Sequence, residues 1–406
     1  MNTVKPLKIA ITINYLAVGG SQSFALALAQ GMQLTGHEVY VYDFNLPYKT
    51  NSLEKLQSPL FTNKKFKYFR FENSIWKKAE SLFPENSFPF KLIHYISNKF
   101  RVLEFRKFVL NNQIELISSH LMASDTLSYK AIQKLPHIKH CITMHGSYEG
   151  FPSSIKKKIR LKVFNRVDGI IYLTPRNISF LNQLAIDLKR IKIKQIYNGY
   201  IASVFNSNET ISKLNLGIND NDFVFIQVAR GTEDKGWKEL CEAFELLQKE
   251  KTNIKLLLVG AGNYLDVLKE NYSQNSAILF YGSSGNPIPL IKIAHVGLLP
   301  TYYKGESLPN TVIEYLDCNI PVIASDIGEI RNMIGVNTEH PSGITVKNTE
   351  LGPVNVRELY NAMDKMVSDR DSYQAFKNNA AFNFSKFGMD NCVNSYLHFF
   401  NELLAK

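Results

Sequence analysis

Two carboxylates eight positions apart, Glu306 and Glu314, stand in the run Gly305-Glu306-Ser307-Leu308-Pro309-Asn310-Thr311-Val312-Ile313-Glu314. Proline suits the first turn of a helix, so Pro309 predicts a helix start with Glu306 on the loop before it and Glu314 more than one turn inside. Eight residues of helix rise about 12 Å. The two carboxylates therefore cannot share one proton or one metal ion, but they can hold the two ends of an elongated ligand. Between them the helix N-terminus, with the amides of Ser307 to Thr311, is a natural seat for a phosphate. A carboxylate, an anion seat and a second carboxylate suit a sugar, a diphosphate and a ribose. Two cations precede this run. Arg230 follows the apolar segment Phe223–Ala229, and Lys235-Gly236 opens a helical pattern. Fixed cations of this kind stabilise charge that develops on a leaving diphosphate.

Fewer such signals occur in the first half. Gly19-Gly20 lies between an apolar strand pattern and a helical one. Its spacing is not G-x-G-x-x-G, so a dinucleotide site is not expected despite Asp43 after the second strand pattern. His145 in Thr143-Met144-His145-Gly146 and His120 in Ser118-Ser119-His120 each end a strand pattern. Either can be a hydrogen-bonded framework residue or part of a site, with His120 on the acceptor side. Gly260-Ala261-Gly262 follows the apolar run Ile254–Val259, and Gly262 is placed to approach a ligand closely. Asp220-Asn221-Asp222 and Asp369-Arg370-Asp371 fit the D-x-D manganese pattern, but both fall where turns or helix caps belong. No histidine cluster suggests zinc. Neither a metal nor a cofactor is expected.

The elements that must position these residues alternate. Strand Lys8–Ile13, helix Gln22–Leu34 ending at Gly36, and strand Val39–Tyr42 form a β-α-β start. A basic stretch without clear periodicity follows, and the alternation resumes from Glu115 to Tyr197. Asn198-Gly199 reads as a turn, followed by a polar linker. A second alternating series runs from Asp222 to Ala324, and helices at Val356–Ser368, Ser372–Asn383 and Met389–Ala405 finish the chain. The expected organisation is α/β, with two Rossmann-like doubly wound domains over residues 1–198 and 199–385. The last helix, residues 386–406, is expected to cross back to the first domain. Ligands of such sheets bind beyond the carboxyl ends of the strands, here in a crevice between the domains.

The Glu306-x7-Glu314 spacing resembles the E-x7-E pattern of retaining glycosyltransferases of family 4, which have the GT-B fold. Asn319-Ile320-Pro321-Val322-Ile323-Ala324-Ser325-Asp326-Ile327-Gly328-Glu329 resembles that family's G-x-P-V-I-A-S-D-x-G-G/E stretch. Asn319 stands where the family has glycine, and Asn tolerates the left-handed conformation. The resemblance implies that Glu306 contacts the donor sugar hydroxyls and Glu314 the ribose hydroxyls. It implies that backbone amides over Ser307, Leu308, Pro309, Asn310 and Thr311 surround the donor, and that Arg230 and Lys235 neutralise its diphosphate without a metal. Gly19 and Gly20 would face the donor phosphate and the acceptor, and His145 would lie close to the reacting sugar. Leu308-Pro309 replaces the Phe-Gly of many members, which changes the expected sugar pocket.

The resemblance therefore implies a retaining transferase. It would move a hexose or N-acetylhexosamine from a nucleotide-diphosphate sugar, UDP-linked ahead of GDP-linked, to a glycan or lipid-linked acceptor in bacterial surface-polysaccharide assembly. Rival readings are a GT-B epimerase or hydrolase and a non-catalytic sugar-nucleotide-binding scaffold. At 406 residues, with 45% hydrophobic and 20% charged residues, the composition is globular and long enough for two domains. No apolar run approaches a membrane span, and four scattered cysteines suit a reducing compartment, so a cytoplasmic location is expected. The net charge of +11 is concentrated early: 13 Lys/Arg face 5 Asp/Glu between Lys49 and Lys107. No nucleic-acid-binding motif accompanies it. Aromatics interleaved with the lysines, among them Phe66, Phe69, Phe71, Trp76, Phe83, Phe88 and Phe90, suggest an anionic membrane surface and peripheral association with the inner face of the membrane.

Overall fold

The computed structural model describes residues 5–16, 20–46, 67–72, 74–84, 87–145, 161–184, 186–200, 210–350 and 352–405. The chain forms two compact units. One comprises Met1–Tyr200 with Met389–Lys406, the other Ile201–Gly388.

The first unit contains strands β1 (Lys8–Ile13), β2 (Glu38–Asp43), β3 (Lys67–Arg70), β4 (Leu116–His120), β5 (Lys139–Met144), β6 (Gly169–Tyr172) and β7 (Lys192–Gln195). Its helices are α1 (Gly20–Leu34), α2 (Ser74–Ser81), α3 (Phe88–Asn111), α4 (Met122–Ile132) and α5 (Pro175–Gln183). The sheet is wholly parallel in the order β3-β2-β1-β4-β5-β6-β7. Parallel sheets need helices on both faces, and strand alternation supplies two apolar faces here. Ile9, Ile11, Leu116 and Cys141 point to one side with Phe24 and Leu28 of α1. Ala10, Tyr42 and Ile117 point to the other with Phe105 and Val109 of α3 and Leu127 of α4.

The second unit is also wholly parallel. Its strands are β8 (Phe223–Val228), β9 (Ile254–Val259), β10 (Ile278–Gly282), β11 (Val296–Leu299), β12 (Val322–Ser325) and β13 (Gly343–Val346), in the order β10-β9-β8-β11-β12-β13. Its helices are α6 (Trp237–Gln248), α7 (Asn263–Asn271), α8 (Ile288–Lys292), α9 (Asn310–Asp317), α10 (Ile330–Met333), α11 (Val356–Ser368) and α12 (Arg370–Phe384). Trp237 and Phe244 of α6 and Leu359 and Met363 of α11 cover Phe225, Leu256 and Leu298 of the sheet. Both sheets reverse direction next to their first strand, the switch point where doubly wound folds hold ligands.

The final helix, α13 (Met389–Leu404), returns to the first unit. Val393, Tyr396, Leu397, Phe400 and Leu403 join the core formed by β1, β4 and α1. Glycines let it dock. A Cβ on Gly31 would stand 2.5 Å from the Val393 side chain, and one on Gly199 2.8 Å from Met389 Sδ. Gly199, read from the sequence as a turn residue, is there for close approach.

Two further readings change. The basic stretch without periodicity contains β3, α2 and the 24-residue helix α3. Helix α3 escaped detection because it is apolar on both sides: Phe90, Phe105 and Phe108 are buried while Phe88, Leu92, Tyr95 and Leu103 are exposed. Arg101, buried on α3, ties the region together by hydrogen bonds to Glu80 of α2 (3.1 Å) and to the Phe44 carbonyl oxygen (3.0 Å). Strand β13 was missed because it opens on a glycine, which reads as loop; a Cβ at Gly343 would meet the Val322 carbonyl oxygen at 1.9 Å. Within the alternation expected from Glu115 to Tyr197, residues 146–160 lie outside the described residues.

Candidate active site

In the second unit the loops after β8 and β11 meet helix α9. Lys235 ends a short 3-10 turn (Glu233–Lys235), and Gly236 follows in the left-handed conformation (φ +71) as the cap of α6. Only glycine fits there, because a Cβ would approach the Pro300 carbonyl oxygen to 2.0 Å. Gln227 donates to the Lys235 carbonyl (2.9 Å), and Trp237 Nε1 donates to the Arg230 carbonyl (3.0 Å), so core side chains fix the cation loop from beneath.

Lys235 Nζ donates to Glu306 Oε2 at 2.5 Å, and both side chains are nearly buried. Thr301, fully buried, places its hydroxyl 3.4 Å from the same oxygen. Tyr303 then serves two cations. Its ring centre lies 4.8 Å from Lys235 Nζ and 5.4 Å from the Arg230 guanidinium carbon. Arg230 is exposed and, among the described residues, has no carboxylate partner. The site therefore holds one cation neutralised by Glu306 and a second that is not neutralised. Tyr303 and Thr301 were not read from the sequence; the signal for them was a Thr-Tyr-Tyr run just beyond a strand pattern.

Helix α9 starts one residue later than expected, with Pro309 as its N-cap. It is locked to the sheet by Thr311 Oγ1, which donates to the Val228 carbonyl (3.1 Å), and by Tyr315 Oη, which accepts from Val228 N (2.9 Å). Val312 N of the first turn donates to the Pro309 carbonyl (3.1 Å), which leaves the amides of Asn310 and Thr311 without a partner inside the helix, at the end of the helix beyond the strand ends. Behind the Glu306-Ser307 loop, Glu329 N donates to the Ser307 carbonyl (2.8 Å). Gly328 (φ +57) fits where a Cβ would lie 2.7 Å from the Glu306 and Ser307 carbonyl oxygens. Asn319 adopts the left-handed conformation (φ 56) that its place in the motif implies.

Glu314 differs from Glu306. It sits on α9, half-buried, and among the described residues no side chain bonds its carboxylate. Burial, with a smaller contribution from Asp317, pushes its carboxyl up to about 7. Gly262, cap of α7, packs against the cation loop; Gly231 N donates to the Ala261 carbonyl at 3.0 Å. One aspartate of each D-x-D pattern is held in a turn or cap. Asp222 accepts from Asn219 N (2.7 Å), and Asp369 caps α12 by accepting from Ser372 N (3.0 Å).

In the first unit the structure joins the two histidines. His120, last in β4, and His145, just past β5, lie with Nδ1 and Nε2 2.8 Å apart and rings stacked. Phe24 of α1 packs on both rings. Burial lowers the His145 imidazole to about 4 and His120 well below its ordinary value, so the pair is neutral near pH 7. Asn14, following β1, accepts from Ser124 N of α4 (2.7 Å) and closes the switch point. Gly20 opens α1, while Gly19 lies outside the described residues. Asp43 is engaged in the sheet rather than offered to a ligand, accepting from Asn45 N (2.6 Å) and the Tyr68 hydroxyl (2.8 Å).

Residues 18–203 match the family profile described as Glycosyltransferase Family 4, and residues 208–381 match the one described as Glycosyl transferases group 1. The chain belongs to the family 4 glycosyltransferases. Among curated relatives of this family, an uncharacterized glycosyltransferase of Methanocaldococcus jannaschii is 32% identical over 40% of this chain and 41% of its own length. The capsular polysaccharide biosynthesis glycosyltransferase CapH of Staphylococcus aureus is 28% identical over 60% of this chain and 64% of its own. Each match thus spans less than two thirds of the relative. Among solved structures, Anabaena HepE in complex with UDP superposes with a TM-score of 0.72 at 18% identity, covering 98% of this chain and 100% of that one. The architecture is GT-B. The two profiles divide the candidate residues: Gly19, Gly20, His120 and His145 fall in the first, Arg230, Lys235, Gly262, Glu306 and Glu314 in the second.

Proposed function

We propose that this family 4 glycosyltransferase moves a hexose or N-acetylhexosamine from a UDP-sugar to a hydroxyl of a surface-polysaccharide precursor, with retention and without a metal ion. The observation that carries the reading is the Lys235–Glu306 pair at 2.5 Å beside an un-neutralised Arg230, next to the N-terminus of the helix that bears Glu314. A nucleoside diphosphate needs two or more positive charges as its bond to the sugar breaks. Arg230, the amides at the start of the helix and Lys235, whose charge is shared with Glu306, supply them in fixed positions. Glu306 is oriented by its lysine to accept from sugar hydroxyls, and Glu314 to meet the ribose. The UDP in HepE and the capsular role named for CapH support the donor base and the pathway class.

A carboxylate bound to a lysine at 2.5 Å is a poor nucleophile, which favours a same-face reaction over a glycosyl-enzyme. In that route the bond from the anomeric carbon to the diphosphate breaks while one to the acceptor oxygen forms on the same face. The acceptor proton passes to the leaving phosphate oxygen. The test is a panel of nucleotide sugars with and without candidate acceptors, read by mass spectrometry and by the anomeric configuration of the product. A glycoside formed only with acceptor, retained in configuration and unaffected by EDTA, is expected. Turnover without acceptor would mean a hydrolase or epimerase, and rescue by manganese after EDTA would overturn the metal-free assignment.

The reading extends to an anionic membrane as the place where a lipid-linked acceptor is met. Helix α3 turns Phe88 (79% exposed), Leu92, Tyr95 and Leu103 to solvent along one stripe, together with Lys91, Lys99 and Lys107. Apolar side chains and lysines on one helix face match a headgroup layer over an apolar interior. The aromatic set divides accordingly. Phe71 and Phe90 are buried, Trp76 stacks on Phe100 at 5.1 Å, and Phe66 lies outside the described residues. Among the described residues, no helix is long and apolar enough to cross a membrane.

A further inference from the structure

We infer that Ser118 and His120 form a proton-ordering relay that fixes His145 as an Nδ1–H hydrogen-bond donor, so that His145 meets its ligand as a donor to oxygen and not as a base. The inference rests on the proposed function only in taking His145 to face a ligand.

The chain of atoms runs Ser118 Oγ, His120 Nε2, His120 Nδ1, His145 Nε2, with separations of 3.2 Å and 2.8 Å across its two hydrogen bonds. Strand geometry builds it. Ser118 and His120 are two residues apart in β4 and so share a face, the one covered by Phe24 of α1. Ser119, between them, points the other way and bonds Asp125 and His140.

A neutral imidazole carries one N–H and one lone pair. Two arrangements of protons are therefore possible. In the first, His145 Nε2–H donates to His120 Nδ1, and His120 Nε2–H donates to Ser118 Oγ. The serine hydroxyl then needs an acceptor of its own. Ser118 is fully buried, and among the described residues its Oγ has no partner but His120. In the second, Ser118 donates to His120 Nε2, and His120 Nδ1–H donates to His145 Nε2. Both protons inside the chain then have acceptors, and His145 must carry its own proton on Nδ1, at the partly exposed end of the chain. Buried hydroxyls are almost always satisfied, so the second arrangement prevails. No described residue bonds His145 Nδ1, which leaves that N–H for a ligand oxygen such as a sugar hydroxyl.

The relay makes His120 and Ser118 positioning residues. Neither touches the ligand in this account; each acts through the tautomer of His145. Removing the Ser118 hydroxyl abolishes the preference and lets the pair relax toward the opposite arrangement, in which His145 offers a lone pair where a donor is needed.

The experiment is long-range proton–nitrogen NMR on the full-length protein labelled at histidine nitrogen. Resonances are assigned with His120→Gln and His145→Gln. The expected result is a protonated Nδ1 and unprotonated Nε2 on both rings. Ser118→Ala is expected to shift His145 toward the Nε2–H form and to lower kcat on the order of tenfold, with the donor KM nearly unchanged. Ser118→Thr, which keeps the hydroxyl, is expected to restore both. An Nε2–H tautomer of His145 in the wild-type protein, or the same His145 tautomer in Ser118→Ala, overturns the relay. If Ser118→Ala does not fold, the wild-type tautomer still decides. A correct tautomer with full turnover in His145→Gln would keep the relay and remove His145 from the reaction instead.

Discussion

The two units set different electrostatics at equivalent places in their sheets. At the switch point of the second unit stand a buried ion pair, an exposed arginine and a carboxylate raised by burial. At that of the first stand two neutral imidazoles, a serine and an asparagine. The first unit is the more basic in sequence, yet its lysines lie elsewhere, on α3 and its surroundings. A nucleoside diphosphate needs fixed charge; hydroxyl groups are better met by ordered neutral donors and acceptors, whose desolvation costs less. On the proposed function, the difference suits donor recognition in the second unit and hydroxyl recognition in the first.

The sharpest way to break this comparison is to strip the second unit of its cations. Lys235→Ala and Arg230→Ala should each lower turnover by roughly a hundredfold or more. They should differ in stability. Lys235→Ala leaves Glu306 nearly buried without its counter-charge and should cost about 3 kcal/mol, whereas exposed Arg230→Ala should stay within about 0.5 kcal/mol. Thermal or urea unfolding measures this. Equal stability losses would mean that Lys235–Glu306 is not the buried pair described.

The next concerns Glu314, whose carboxyl stands at about 7 rather than the ordinary 4.5. A folded-state value above the unfolded one means the native protein holds a proton that the unfolded chain has lost. Stability should therefore fall as pH rises from about 4.5 through about 7 and then level off. Glu314→Gln should abolish that fall and, at pH 8, be more stable than wild type by on the order of 2 kcal/mol. It should bind the nucleotide sugar more weakly by about 1.5–3 kcal/mol. Unfolding and calorimetric titration across this range check both. A titration near pH 7 that persists in Glu314→Gln would shift the assignment to another group, and His145, lowered to about 4, is not available for it.

The smallest effect tests where the first unit keeps its charge. Lys99→Ala on α3 should weaken association with anionic vesicles by about 1 kcal/mol at low salt and leave neutral vesicles unaffected. Phe88→Ser should weaken both kinds of association. Sedimentation that is equal for anionic and neutral vesicles would leave the stripe without a charged partner. Lys67 is no test of this, since it pairs with Glu38 at 2.9 Å.

The sequence was most legible where the local pattern carries the candidate site. Glu306, Glu314, Arg230 and Lys235 stand next to strands whose apolar runs are unbroken and whose turns carry glycine. What they do to one another was not legible. That Lys235 is committed to Glu306 while Arg230 is not depends on Thr301 and Tyr303, which come from a different loop, and on burial, which no spacing reports. Likewise His120 and His145 could each be seen ending a strand, but their 2.8 Å contact follows from the adjacency of β4 and β5. Helix α3 was hidden by its second apolar face, so the feature that obscured it is the one that gives it a proposed partner.

The return of α13 has a consequence for how the protein is made. Residues 1–200 leave the ribosome before residues 389–406, so the core that holds Ile9, Ile11, Phe24 and Leu28 is complete only when Val393, Tyr396 and Phe400 have followed. The second unit is contiguous in sequence and needs no such late arrival. The order of synthesis and the order of completion are therefore reversed. The nascent amino-terminal unit must wait, partly uncovered, while 188 residues that belong to another core are made and folded. A chain that stops before α13 would lack Val393, Tyr396 and Phe400 and keep part of the amino-terminal core uncovered, open to chaperones and proteases.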